Sequence, residues 1–158
     1  MQCRVTGADG KEAAVYGGSY GIGVSRLVGG IIEACHDEDG IVWPWAVAPF
    51  QIGLINLKPG DARTDELSER LYKTLTHKGL DVLYDNRDER AGAKFSDMDL
   101  IGLPWQAVIG PRGAVAGEIE VKNRKNGDKQ TLDFEAACAL LAEAPSDADL
   151  ANADLILS

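Results

Sequence analysis

Three stretches of the chain gather residues that could do chemistry. The first is Gly17-Gly18-Ser19-Tyr20-Gly21-Ile22-Gly23-Val24-Ser25-Arg26, four glycines within seven positions and then an arginine. Glycine lets a backbone approach a ligand closely, and an arginine in the first turn of a helix can fork onto phosphate. The spacing is not that of a GxxxxGK[ST] phosphate loop. Arg26 also stands where the third glycine of a dinucleotide fingerprint belongs. On the bare pattern, a tight strand–helix junction with Arg26 in a surface ion pair is the favoured reading.

The second stretch is Asp85-Asn86-Arg87-Asp88-Glu89-Arg90-Ala91-Gly92-Ala93-Lys94-Phe95. It follows a short apolar run, at the carboxyl end of a strand, where open α/β sheets place their ligands. Arg87, Arg90 and Lys94 could meet phosphate or guanine, and Phe95 could stack on a base. A solvated, self-paired charge run is the plain alternative. The third stretch is Glu118-Ile119-Glu120-Val121-Lys122-Asn123-Arg124. With strand alternation, Glu118, Glu120, Lys122 and Arg124 share one face and Ile119 and Val121 the other. Carboxylates can accept from the Watson–Crick edge of guanine, and Lys or Arg can donate to O6, N7 or phosphate. The alternative is a half-exposed strand with cross-strand ion pairs. His36, His77, Ser19 and Ser25 have no matched catalytic partners. Trp43, Trp45 and Trp105 sit in apolar contexts that suit packing.

The elements that must hold these stretches follow from periodicity. Lys11 to Tyr16 reads as the second arm of a hairpin turned at Gly7-Ala8-Asp9-Gly10. Val24, Leu27, Val28, Ile31, Ile32 and Cys35 form one helical stripe. Gly29 and Gly30 inside it suggest a close-packed neighbour, and a hairpin with one helix cannot build its own core. His36 to Gly40 ends the helix, and the apolar, proline-punctuated Ile41 to Phe50 reads as an ordered connector. From Gln51 the pattern alternates: strand 51–57, helix capped by Asp61 or Thr64 with Gly79 beyond its end, strand 81–84, charged loop 85–94, helix 95–101, strand 105–109. Strands 118–124 and 129–132 flank the hairpin turn Asn126-Gly127, and Asp133 caps a last helix, 134–143. The fold class expected is α/β, a mixed, mostly parallel sheet with flanking helices, preceded by a strand–helix piece of another domain.

The chain has 158 residues, a size for one ordinary domain or a small one with an appendage. Hydrophobic residues at 45% and charged residues at 26% exclude a wholly disordered chain. No apolar run approaches the roughly 18 residues needed to span a bilayer, so no membrane association is expected. The N-terminus has no signal-peptide pattern, and Cys3, Cys35 and Cys138 are too scattered for a disulfide framework or a zinc site. A cytoplasmic location is the expectation, with no bound metal. The net charge of −9 is unevenly distributed. Residues 1–50 carry 3 basic and 6 acidic side chains, residues 51–132 carry 13 of each, and residues 133–158 carry 6 acidic and no basic ones. A local face that binds nucleic acid is therefore still open in the middle.

Taken together, the stretches resemble the C-terminal part of bacterial-type prolyl-tRNA synthetases. Gly18 to Glu33 (GSYGIGVSRLVGGIIE) is similar to motif 3 of the class II aminoacyl-tRNA synthetases in its prolyl version. HDEDGIVWPWAVAPFQIGLI is similar to that family's passage into the anticodon-binding domain, and Asp85 to Gly110 to that domain's signature. The resemblance runs from about Val15 to Leu141. It implies a division into a catalytic-domain piece at 1–40, a connector at 41–49, an anticodon-binding domain at 50–144 and an acidic tail at 145–158. It implies that Arg26 contacts ATP phosphate and takes part in catalysis, and that Gly21 and Gly23 line the ATP site. It makes Arg87, Lys94, Glu118, Glu120, Lys122 and Arg124 the candidate anticodon surface.

The parent activity implied is attachment of proline to its tRNA with ATP, which would bring Mg2+, by a homodimer. Motifs 1 and 2 are not seen in the sequence. The chain is therefore expected to be part of a longer protein, to bind no cofactor in isolation and to be inactive alone. A stand-alone tRNA-binding accessory module without catalysis is the alternative. A small nucleotide-binding enzyme built on Gly18 to Arg26 is a weaker one.

Overall fold

The computed structural model describes residues 3–143. The acidic tail, with the helical turn expected near Leu150, lies outside them. The chain divides into two compact units, Met1–Gly30 and Ile31–Ser158.

In the first unit, strands β1 (Arg4–Thr6) and β2 (Glu12–Ala14) pair antiparallel, Arg4 opposite Ala14. Gly10 at φ +74° closes the turn, its N–H donating to the Gly7 carbonyl at 2.9 Å. Helix α1 (Val24–Ala34) begins directly after the glycine-rich run. Its stripe through Val24, Leu27 and Val28 is at least half exposed. A Cβ added at Gly29 or Gly30 meets nothing within 4 Å among the described residues, so the close neighbour expected there is not among them.

The second unit is built on a five-stranded sheet in the order β6-β5-β7-β8-β9. Its strands are β5 (Ile52–Asn56), β6 (Val82–Asp85), β7 (Trp105–Ile109), β8 (Glu118–Asn123) and β9 (Lys129–Asp133). Strand β5 pairs parallel with β6 and β7, and the β7–β8 and β8–β9 pairs are antiparallel. The expected mixed sheet is therefore present. All five residues of β5 are buried, as an apolar run at the centre of a parallel group requires.

Helix α2 (Ala62–His77) starts where Asp61 accepts the Thr64 N–H at 3.2 Å, and Gly79 beyond its end sits at φ +83°. With α5 (Phe134–Ala142), capped by Asp133, it covers one sheet face. There Ile52, Leu54, Leu71, Leu75, Ile119 and Leu141 form the main core. Helix α3 (Ala91–Ile101) covers part of the other face, where Met98, with Leu103 just past the helix, packs against Ile55 and Val108.

Two boundaries differ from expectation. Helix α3 starts at Ala91, four residues earlier than Phe95, so Lys94 lies in its first turns. A short helix α4 (Pro111–Ala116) stands where no element was expected. Ahead of the sheet, β3 (His36–Asp37) and β4 (Gly40–Ile41) form a minimal hairpin, and Trp45–Val47 a single 3-10 turn. This strap lies across the end of α3. The Trp43 N–H donates to the Gly102 carbonyl at 3.0 Å. Gly102 holds φ +77°, and a Cβ there would lie 1.8 Å from the Ile41 carbonyl oxygen. Only glycine meets both demands.

Candidate nucleic-acid interface

Helix α3 leaves the β8–β9 end of its sheet face uncovered, and the alternation of β8 delivers its polar residues there. Glu118, Glu120 and Lys122 occupy that face, while Ile119 and Val121 are buried in the opposite core. Thr131 of β9 stands opposite Glu120, and Lys129 opposite Lys122. An open cleft of about 450 Å³ lies beside the carboxyl ends of β5 and β7. Leu57, Val108, Arg112, Glu118, Glu120 and Thr131 are among the residues lining it. Two carboxylates, an arginine and a hydroxyl around an apolar floor can take a flat ring with donors and acceptors on its edge.

Arg112 belongs to α4 and escaped the sequence reading together with that helix. The available signal was Pro111 at the first helical position and Gly117 just past the end.

The other anticodon candidates, Arg124, Lys94 and Arg87, are engaged with carboxylates of the protein itself. Arg124 is 5% exposed and makes two hydrogen bonds of 2.6 Å to the carboxylate of Asp37 in the strap. Its Nε also donates to the Asp99 backbone carbonyl at 3.2 Å. The Arg124 hydrogen bonds hold the Asp37 carboxyl well below the ordinary carboxylate range, against the opposing effect of desolvation.

Lys94 was expected at the RNA surface. It is fully buried, donating to the Asn56 carbonyl at 2.6 Å with Asp85 at 3.7 Å. Arg87 is half exposed, but its guanidinium donates to Asp85 at 2.8 and 3.1 Å and to Asp97 at 2.7 Å. Arg87 hydrogen bonds lower the Asp85 pKa, burial opposes them, and the Lys94 charge adds to the lowering. Arg87 and Lys94 thus neutralise a buried aspartate, while Arg90 is exposed. Charge type alone gave no sign of it, because the same letters describe a solvated run.

In the first unit, Arg26 lies in the first turn of α1, its N–H donating to the Gly23 carbonyl at 2.9 Å. No acidic residue shares that turn, and Arg26 makes no ion pair among the described residues. A Cβ at Gly21 would meet nothing within 4 Å, so the backbone there is open to approach. Both features suit a phosphate group. Among the described residues no group of three or more His, Cys, Asp or Glu is placed to hold a metal ion. Among them, too, no helix is long and apolar enough to cross a membrane.

The Anticodon binding domain family matches residues 49–144, more than half of the chain and the whole of the five-stranded sheet. The chain belongs to that family. Over 142 residues it is 66% identical to a proline–tRNA ligase of Parvibaculum lavamentivorans, a match covering 90% of this chain and 32% of that protein. It is 59% identical over 141 residues to a proline–tRNA ligase of Brucella ovis, covering 89% and 32%. The chain therefore spans about a third of the length of the curated relatives it matches. Among solved structures, the prolyl-tRNA synthetase of Cryptosporidium parvum, complexed with L-proline and AMP, superposes with a TM-score of 0.68 at 24% identity. That match covers 75% of this chain and 26% of that one, and it speaks for the fold. Within the anticodon binding domain, the cleft beside Glu118 and Glu120 is the open part of the sheet.

Proposed function

We propose that this chain is the anticodon-reading part of a proline–tRNA ligase, with the cleft beside β8 as the base-reading surface. The cleft carries the proposal, because it brings Glu118, Glu120 and Arg112 together at the end of the sheet face that α3 leaves uncovered. Proline anticodons carry two guanines, which offer both donors and acceptors on their edges. The carboxylates accept from guanine N1–H and N2–H2, while Arg112 and Lys122 donate to O6, N7 or phosphate. Arg87, Lys94 and Arg124 are engaged with buried or part-buried carboxylates and hold the domain's own elements together.

The segment that resembles motif 3 belongs, on the same reading, to the ligase's ATP site. There Arg26, with Gly23 and the open backbone at Gly21 beside it, is the residue proposed to hold ATP phosphate. ATP supplies the activating phosphoanhydride; Arg26 holds negative charge as pyrophosphate leaves. High identity to proline–tRNA ligases favours this over an accessory module without catalysis.

The test is titration of the chain with anticodon stem-loops at fixed salt, each guanine replaced in turn. The expected result is a loss of affinity of about 1–3 kcal/mol per replaced guanine, and relaxed selectivity in Glu120→Ala. Equal affinity for every stem-loop would show that this face does not read the anticodon.

A further inference from the structure

Strand β8 places Lys122 directly opposite Lys129 of β9, on the face with Glu118 and Glu120. Two ammonium groups in register repel, and each is drawn to a different acid. Lys129 lies 3.7 Å from Glu120. Lys122 donates to Asp99 Oδ1 at 2.6 Å, from the last turns of α3. Gln106 of β7, paired with Lys122 on the other side, donates its Nε2 to the same oxygen at 2.8 Å. One carboxylate oxygen thus ties together two neighbouring strands and the helix above them. The backbone of Asp99 is held in turn. Its carbonyl accepts from Arg124 Nε, Arg124 is clamped by Asp37, and Gly40 fits so closely that a Cβ there would lie 2.7 Å from the Asp99 carbonyl.

We propose that Asp99 is a positioning residue for anticodon readout: it fixes the Lys122 ammonium before RNA arrives and leaves two of its three N–H donors for the ligand. The inference rests on the reading of β8 as the base-reading surface. A free lysine loses rotamer freedom when a ligand fixes it, and a lysine held in advance does not. Lys122 is about one-fifth exposed, enough to present donors without swinging freely. Asp99 acts through Lys122 and touches no ligand itself.

The experiment uses the whole chain and stem-loops with a native or guanine-replaced proline anticodon, and reads the ratio of affinities at fixed salt. Urea unfolding runs in parallel. Lys122→Ala should cut the ratio roughly tenfold or more, the scale of one base-specific pair. Asp99→Asn should cut it by a similar factor, and the double variant should lose no more than either single one. A merely structural role would lower the unfolding midpoint and leave the ratio intact. If Lys122→Ala lowers the ratio and Asp99→Asn does not, the positioning role is overturned and the base-reading surface stands. If Lys122→Ala leaves the ratio unchanged, lysine readout on β8 fails and the positioning role with it. Should Asp99→Asn not fold, NMR of the wild-type chain carries the test. The hydrogen bond from the Lys122 ammonium to Asp99 should persist in the stem-loop complex, and its loss on binding overturns the proposal.

Discussion

Arg124, just past the end of β8, and Asp37 in the strap are 87 positions apart in sequence and meet in two parallel hydrogen bonds of 2.6 Å. The fork of the guanidinium matches the carboxylate, so the pair fixes orientation as well as distance. Asp37 also accepts the N–H groups of Asp39 and Gly40 at 3.0 and 3.1 Å, which shapes the hairpin that Arg124 grips. The strap is thus part of the second unit's packing, although residues 36–40 read in sequence as a helix end and only those after them as a connector.

That relationship predicts how truncation behaves. A piece covering residues 49–143 should fold, because it carries the whole sheet and both cores. It should be less stable than a piece covering 31–143, which keeps Asp37 and the Trp43 N–H bond to Gly102. Arg124→Ala in the full chain should speed hydrogen exchange at Gly40 and Trp43 while leaving β5 slow. Unchanged exchange at both amides would mean that the strap is held by its backbone contacts alone.

Lys94 offers a second case. Its ammonium has no exposure and faces Asp85, whose side chain is 4% exposed. Lys94→Met should keep the volume and remove the charge. The expected cost is about 3 kcal/mol, the scale for breaking a buried pair, with Arg87 still compensating part of the Asp85 charge. Chemical denaturation measures it. A change below about 0.5 kcal/mol would mean that the Lys94 charge contributes no more to stability than that of an ordinary surface residue.

Acid should weaken the second unit through the same aspartate. The folded Asp85 pKa lies below the unfolded value of about 3.9, chiefly through Arg87. A group shifted this way stabilises the fold above its unfolded pKa and loses that contribution as pH falls through the folded one. Stability should therefore drop from about pH 4 downward, with Asp99 contributing in the same direction. Unfolding midpoints taken across that range should fall less steeply in Asp85→Asn, although that variant starts from a lower stability. Parallel acid limbs in the two proteins would assign the dependence to other carboxylates.

How far these features were legible in the sequence depends on the distance between partners. The Asp61 cap, the Gly79 helix end and the alternation of β8 were legible, because each is set by neighbours within a few positions. The Asn126-Gly127 turn was legible for the same reason, and Gly127 does sit at φ +74°. The burial of Lys94 and Arg124 was not, since both partners arrive from elsewhere in the chain and charged letters signal solvent by default. Lys122 could be placed on a face by period alone. Its partner Asp99 could not, because nothing local links the end of α3 to β8. Arg112 was missed for want of a helix of only six residues, too short for a periodic signal.

Arg112 yields a binding prediction. It lines the cleft with Glu118 and Glu120, and the chain's net charge of −9 leaves phosphate affinity dependent on local cations. Arg112→Ala should weaken binding to a proline anticodon stem-loop. A phosphate contact would lower affinity for all stem-loops alike and reduce the salt slope by about one. A base contact would instead lower selectivity for one guanine. Native affinity, selectivity and salt dependence in the variant would remove Arg112 from the surface.

The last prediction concerns catalysis. Arg26 stands on an exposed helix in a chain that spans about a third of its proline–tRNA ligase relatives. Proline activation needs the α-phosphate held while the proline carboxylate attacks it and pyrophosphate leaves. A single arginine beside an open backbone is a fraction of such a site. The chain alone should therefore show no proline-dependent exchange of pyrophosphate into ATP. Exchange above background from pure chain would overturn that expectation. In a full-length ligase carrying this sequence, Arg26→Ala should slow proline activation strongly, by about 3 kcal/mol in the barrier if it stabilises charge in the transition state. Binding of the anticodon stem-loop should be unchanged in the same variant, because Arg26 lies outside the anticodon binding domain. Activation at the wild-type rate would leave Arg26 a structural residue at the start of α1.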